Sequence, residues 1–212
     1  MGLRVAKPMV HGRLNSNVMQ VIELFKVPLF AVLLDLDTAS IEKYCLDHQN
    51  KNEGRILSNS GAAAAAGSSS GGYQSHNVEI SPLIKEINKY STILSETYAI
   101  DNELVVRDMW ININEYRDYN KLHSHPNSLF SGVYYVKAPE KCGYISFESP
   151  GVDIMEHTYS TIDFKEWNMF NIHTRWQEVR ENILYVFPGW LKHRVEPNLS
   201  NEKRISISFN IK

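Results

Sequence analysis

The segment Arg204–Ile211, RISISFNI, alternates without a break. Ile205, Ile207, Phe209 and Ile211 fall on one face; Arg204, Ser206, Ser208 and Asn210 fall on the other. An extended strand sorts side chains with this period of two. Similar runs occur at Leu104–Asn114, Phe130–Val136, Tyr144–Glu148 and Ile183–Phe187, each bounded by Pro, Gly, Asn or Asp. Before Ile100 the period is 3.6 instead. Residues 35–52 read as a helix capped by Thr38 or Ser40, with Ile41, Tyr44, Cys45 and His48 on one stripe. A second helix is expected from Ser81 as N-cap and Pro82 at its first turn to about Glu96, with Leu83, Ile84, Ile87 and Leu94 recurring at helical spacing. Helices first and strands afterwards, with no helix expected between strands, predict an α+β, mainly β fold and a mostly antiparallel sheet. About eight strands in roughly 110 residues suit a jelly roll or barrel. The stretch Asp153–Glu181 is expected to add strands and a lid.

At 212 residues the chain can bury the core of one domain. Met1–Val18 is poorly patterned and has no apolar signal region, so residues 1–18 read as a leader or appended segment and 19–212 as the single domain. The block Gly61–Gly72, GAAAAAGSSSGG, reads as a low-complexity surface loop. A net charge of −2 argues against nucleic acid held by a bulk electrostatic field. No apolar run is long enough for a membrane span. The two cysteines, Cys45 and Cys142, exclude a disulfide framework, and without a CxxC they give no zinc-finger spacing. They point to a reducing, cytoplasmic compartment.

The chemistry concentrates in three histidines. His123 and His125, in YNKLHSHP, stand two apart, so in an extended segment both imidazoles face one side and can converge on one metal ion. Paired surface or turn histidines are the competing reading. His193, in FPGWLKHRVEPN, follows a strand and a Pro-Gly turn 68 residues beyond His125. A β-helix can set such distant strands side by side. Neutral imidazoles with open positions suit Fe(II) better than a closed structural zinc site. Otherwise His193 packs on Trp190 and bonds backbone. Arg204 and Ser206 share a strand face, and a planar fork with a hydroxyl suits a carboxylate in a pocket. A buried arginine without an acid partner is costly, and an anionic cosubstrate would supply the missing charge; the ordinary alternative is a polar face turned to water. Asn112, between Trp110 and Asn114 on one strand face, is a candidate cosubstrate contact or a member of a polar ladder. Tyr134 and Tyr135 lie on opposite faces, so one of them looks inward. Trp167, Trp176 and Trp190 are candidates for a cleft, with at least two expected in the core.

Together WININ, HSHPNSLFSGVYYVKAP, FPGWLKHRVEPN and RISISFN, with LFKVP at Leu24–Pro28, resemble a family of 2-oxoglutarate/Fe(II) oxygenases found in bacteria and phages. The resemblance runs from about Met19 to Lys212, outside Gly61–Gly72. It implies a distorted double-stranded β-helix with supporting N-terminal helices. It implies Fe(II) and 2-oxoglutarate as cofactors, and hydroxylation of a substrate by O2 with release of succinate and CO2. It implies His123 as the first metal ligand, His193 as the last, Arg204 as partner of the distal carboxylate of 2-oxoglutarate and Ser206 as its hydroxyl partner. The family's middle ligand is Asp or Glu, and here His125 stands in its place. Three arrangements follow: His125 is the third ligand; His123 and His193 bind alone with water; or Glu148 or Asp153 supplies a carboxylate. The first needs no rearrangement of the chain and is the expectation. Two other functions are a three-histidine cupin-type dioxygenase that does not use 2-oxoglutarate, which leaves Arg204 and Ser206 without a role, and a non-catalytic β-helix binding module. The substrate is open.

Overall fold

A computed structural model describes residues 25–54 and 72–212. The expectations for residues 1–18 and for 61–71 lie outside these. The elements in order are β1 (Phe30–Leu33), α1 (Thr38–Lys51), β2 (Tyr73–Gln74), α2 (Ser81–Tyr98), β3 (Val106–Asn114), β4 (Asn120–His123), β5 (Phe130–Lys137), β6 (Ile145–Glu148), α3 (Val152–Tyr159), β7 (Thr174–Gln177), β8 (Ile183–Pro188), β9 (His193–Val195) and β10 (Arg204–Ile211). A six-stranded sheet runs β1-β8-β5-β10-β3-β2 and a four-stranded sheet runs β4-β9-β6-β7. The paired strands are antiparallel in both sheets, as the α+β, mainly β reading expects.

The helices form where the 3.6 period places them, but their caps differ. Asp37 caps α1: its carboxylate accepts the Ser40 N–H at 3.1 Å, and the Ser40 hydroxyl donates to the same carboxylate rather than capping. In α2, Ser81 is already helical; Ile80 precedes it without a side-chain cap, and Pro82, which needs no N–H partner, opens the first turn. The helix ends on Ala99 in a left-handed conformation, φ 52°. A short helix, α3, lies between β6 and β7, where no helix was expected; of the strands expected over Asp153–Glu181, β7 forms. Gly151 leads into it and Asp153 sits in its favourable first turn.

The two faces of the large sheet have different fates. Ile205, Ile207, Phe209 and Ile211 join Ile111, Ile113 and Tyr134 on the outer face, packed on Ile41 and Cys45 of α1 and on Leu83, Ile87 and Leu94 of α2. Each fully buried Phe, Leu or Ile there contributes about 1.5–3 kcal/mol relative to exposure. The inner face carries a second apolar cluster, with Val133, Tyr135, Tyr185 and Phe187 meeting Ile145 and Phe147 of the small sheet. Tyr135 is thus the inward tyrosine. Beside it, β10 and β3 stay polar inside, in the register Arg204 to Asn114, Ser206 to Asn112, Ser208 to Trp110 and Asn210 to Asp108.

Candidate metal centre and cosubstrate pocket

The short β4 and β9 pair so that His123 faces His193 in the ladder. Their ring centroids are 4.3 Å apart. His125 lies beyond the end of β4, so a turn rather than strand alternation brings its ring in, 5.0 Å from His123 and 5.3 Å from His193. One ligand nitrogen from each of the three lies within 4.8 Å of the others. Among the described residues no Asp, Glu or Cys joins this cluster, so Glu148 and Asp153 are not brought to it.

The three histidines are held in their neutral form. His123 Nδ1 meets the Lys121 carbonyl at 2.7 Å and His193 Nδ1 meets the Leu191 carbonyl at 2.9 Å. A carbonyl only accepts, so each Nδ1 carries the proton and each Nε2 presents its lone pair. Burial lowers all three pKa values, His125 to about 4 and His193 to about 3, with repulsion among the rings adding to the shift in those two. Three converging, neutral imidazole nitrogens fit a divalent first-row metal ion.

A narrow cavity opens on these rings. Trp110, Asn112, Ser206 and Ser208 line it along the inner face of β3 and β10, with Gln74 at its rim. Asn112 is on the wall, yet its amide nitrogen donates to Ser208 Oγ and its oxygen accepts from Gln74 Nε2, both at 3.0 Å. It belongs to a polar ladder as well as to the pocket.

Arg204 is not on the cavity wall. It lies one inward position deeper, about 7 Å along the strand from Ser206, and is 1% exposed. Its Nη1 donates to the carbonyls of Cys142 and Glu196. Its Nε and Nη2, which form one edge of the guanidinium, have no hydrogen-bond partner among the described residues. The buried Tyr135 hydroxyl also lacks one among these residues. Asp118 and Glu196 act on Arg204 electrostatically, but neither forms an ion pair with it. Burial pushes the Asp118 carboxyl pKa up, against hydrogen bonds and the Arg204 charge that lower it. A free guanidinium edge beside a free phenol matches the two oxygens of a carboxylate.

Sequence reasoning left Tyr135 undecided and did not single out Asp118. Alternation narrowed the tyrosine to one of two; the register sets Tyr135 opposite Ser206, and its hydroxyl interacts electrostatically with Arg204. The tryptophans are a correction: Trp167, Trp176 and Trp190 are 60%, 48% and 51% exposed, so none is core. Trp176 is held at the surface by its Nε1–H bond to Glu196, 2.9 Å.

Residues 108–210, which include every histidine, arginine, serine and asparagine named for the site, match a family profile described as "Putative 2OG-Fe(II) oxygenase". Through this segment, just under half of its length, the chain is similar to the 2OG-Fe(II) oxygenase family. The cofactors of such an oxygenase are Fe(II) and 2-oxoglutarate, and the donor sets above suit both. The profile matched is that of 2-oxoglutarate-using oxygenases, not of cupin-type dioxygenases or non-catalytic modules. No curated protein matches the chain. Among solved structures, the non-heme alpha ketoglutarate dependent epimerase SnoN from nogalamycin biosynthesis aligns at TM-score 0.60 and 13% identity, over 86% of this chain and 77% of its own. A Pseudomonas putida prolyl-4-hydroxylase aligns at 0.55 and 10% identity, over 87% and 92%. The viral collagen prolyl hydroxylase vCPH from Paramecium Bursaria Chlorella virus-1, a 2-oxoglutarate complex, aligns at 0.54 and 12% identity, over 86% and 94%. These distant likenesses establish the double-stranded β-helix fold. No helix among the described residues is long and apolar enough to cross a membrane.

Proposed function

We propose that this oxygenase is a hydroxylase whose Fe(II) is held by His123, His125 and His193, and whose 2-oxoglutarate is held through its distal carboxylate by Arg204, Ser206 and Tyr135. The observation that carries the reading is the free Nε–Nη2 edge of Arg204, fully buried on the strand face that also walls the three-histidine cavity. When bound, Fe(II) and 2-oxoglutarate supply the oxidising chemistry: O2 and 2-oxoglutarate are consumed, succinate and CO2 are released, and one oxygen atom enters a C–H bond of the substrate.

The protein's own part is positioning and exclusion. The Lys121 and Leu191 carbonyls fix the tautomers of His123 and His193. Arg204 neutralises the distal carboxylate, and Ser206 and Tyr135 donate hydroxyl hydrogen bonds to it. Asn112, pinned by Ser208 and Gln74, keeps the wall polar and rigid on the cosubstrate side. Trp110, with its ring 5.7 Å from that of His125, limits water on the other. The three-histidine set supplies no ligand charge, so the charge of the metal is balanced by the cosubstrate itself. A reducing cytoplasmic location accompanies the proposal, and the free, buried thiols of Cys45 and Cys142 suit it.

Oxygen uptake in the presence of Fe(II), with succinate counted against 2-oxoglutarate consumed, tests the reading. Equimolar succinate is expected from the wild type and none from His193→Ala. Oxygen uptake that does not depend on 2-oxoglutarate would overturn it.

A further inference from the structure

Gly189 makes a contact that the metal site needs and that leaves no room for a side chain. Its carbonyl accepts the His125 N–H at 2.7 Å, and its own N–H donates to Leu129 at 3.0 Å. A Cβ on Gly189 would sit 2.3 Å from the Ser128 carbonyl oxygen and 2.9 Å from that of His125. Both obstacles are backbone, and the His125 carbonyl is itself engaged by the Ser128 N–H at 3.0 Å. The turn therefore cannot yield by rotating a side chain; it must move as a unit and carry His125 with it. The same short segment also sets His193. The Leu191 N–H donates to the Pro188 carbonyl at 2.9 Å, and the Leu191 carbonyl holds His193 Nδ1. His123 is independent of it, being oriented by Lys121 on its own strand.

We propose that Gly189 is a positioning residue for the metal centre: the Pro188–His193 turn docks the His125 turn through it and so places His125 beside the His123–His193 pair. The inference rests on His125 being a ligand. Its consequence is specific. A side chain at Gly189 displaces His125 while leaving the His123–His193 pairing in the ladder, and the site behaves as a two-histidine site.

Anaerobic Co(II) titration reads this directly, because the visible d–d bands report the donor set of the metal rather than turnover. Gly189→Ala and His125→Ala are each compared with the wild type, with circular dichroism confirming the fold. We expect Gly189→Ala to reproduce the Co(II) spectrum of His125→Ala and to bind Co(II) about 10–100-fold more weakly than the wild type. A folded Gly189→Ala with the wild-type spectrum and affinity would overturn the proposal. A wild-type spectrum from His125→Ala would instead remove the three-histidine reading, and Gly189 with it. Should Gly189→Ala not fold, amide hydrogen exchange on the wild-type protein decides. The His125 and Gly189 amides are expected to be protected and to gain protection together on adding Zn(II). A His125 amide that exchanges as fast as an open loop would contradict the contact.

Discussion

The two faces of β10 are made of alternate residues of one strand, yet they obey opposite rules. The outer face, Ile205 to Ile211, is apolar, fully buried and closed by helices. The inner face, Arg204 to Asn210, is just as enclosed at its deep end but polar, and there Arg204 and Tyr135 keep hydrogen-bonding groups without partners among the described residues. A fold selected for stability alone would not leave them so, since an unpartnered buried polar group costs about 1–3 kcal/mol. The outer face is where the protein is held together, and the inner face is where it is held ready for something else.

Substitutions on the two faces should therefore separate stability from binding. Phe209→Ala, on the outer face, is expected to lower unfolding free energy by about 3–5 kcal/mol, read by chemical denaturation. Arg204→Met on the inner face should do the reverse. Apo stability is expected to stay level or rise, because an uncompensated buried charge is replaced by an apolar chain. Binding of 2-oxoglutarate to the Fe(II) protein is expected to weaken by about 2–5 kcal/mol, measured by calorimetry. If Arg204→Met instead unfolds the protein, the contrast between the faces fails. Ser206→Ala is a milder version: about 1 kcal/mol less 2-oxoglutarate affinity with an unchanged melting temperature.

A separate, pH-dependent effect comes from the histidines. Burial disfavours their charged forms, so the unfolded chain takes up protons near pH 6.5 while the folded one resists until about pH 4 at His125 and about pH 3 at His193. Metal-free protein is thus expected to lose stability as pH falls from about 6.5 towards 4 and to change little above 7. Melting curves with chelator at pH 7.5 and 5.0 check this. Metal binding should steepen the drop, because protons then compete with the metal for the same nitrogens.

The two faces also differed in how legible they were. Strict alternation in RISISFNI gave β10 its full extent and both faces, because a strand buried on one side by helices needs that pattern. Period 3.6 gave α1 and α2 for the same reason. The edges were illegible. β1 lies in an apolar run without alternation, and β2 is two residues long and defined by its pairing with β3 alone. The β6–β7 connection hid α3, since eight residues carry too few turns to show a period. At the site, His123, His193, Arg204 and Ser206 were readable as residue types at telling spacings. The free edge of Arg204, the inward Tyr135 and the backbone contact of Gly189 were not, because each depends on what lies across a sheet or a turn. The exposed tryptophans misled because large aromatic residues usually bury.

The central claim is that three neutral histidines and a buried, unpartnered arginine together hold Fe(II) and 2-oxoglutarate. Anaerobic titration of the apo-protein with Fe(II) and then 2-oxoglutarate addresses it most directly. A chelated 2-oxo acid on an imidazole-ligated Fe(II) gives a charge-transfer band near ~500 nm. That band, saturating at equimolar 2-oxoglutarate, is expected in the wild type, with a much higher 2-oxoglutarate requirement in Arg204→Met. Iron bound at the histidines with no band at any 2-oxoglutarate concentration would contradict it.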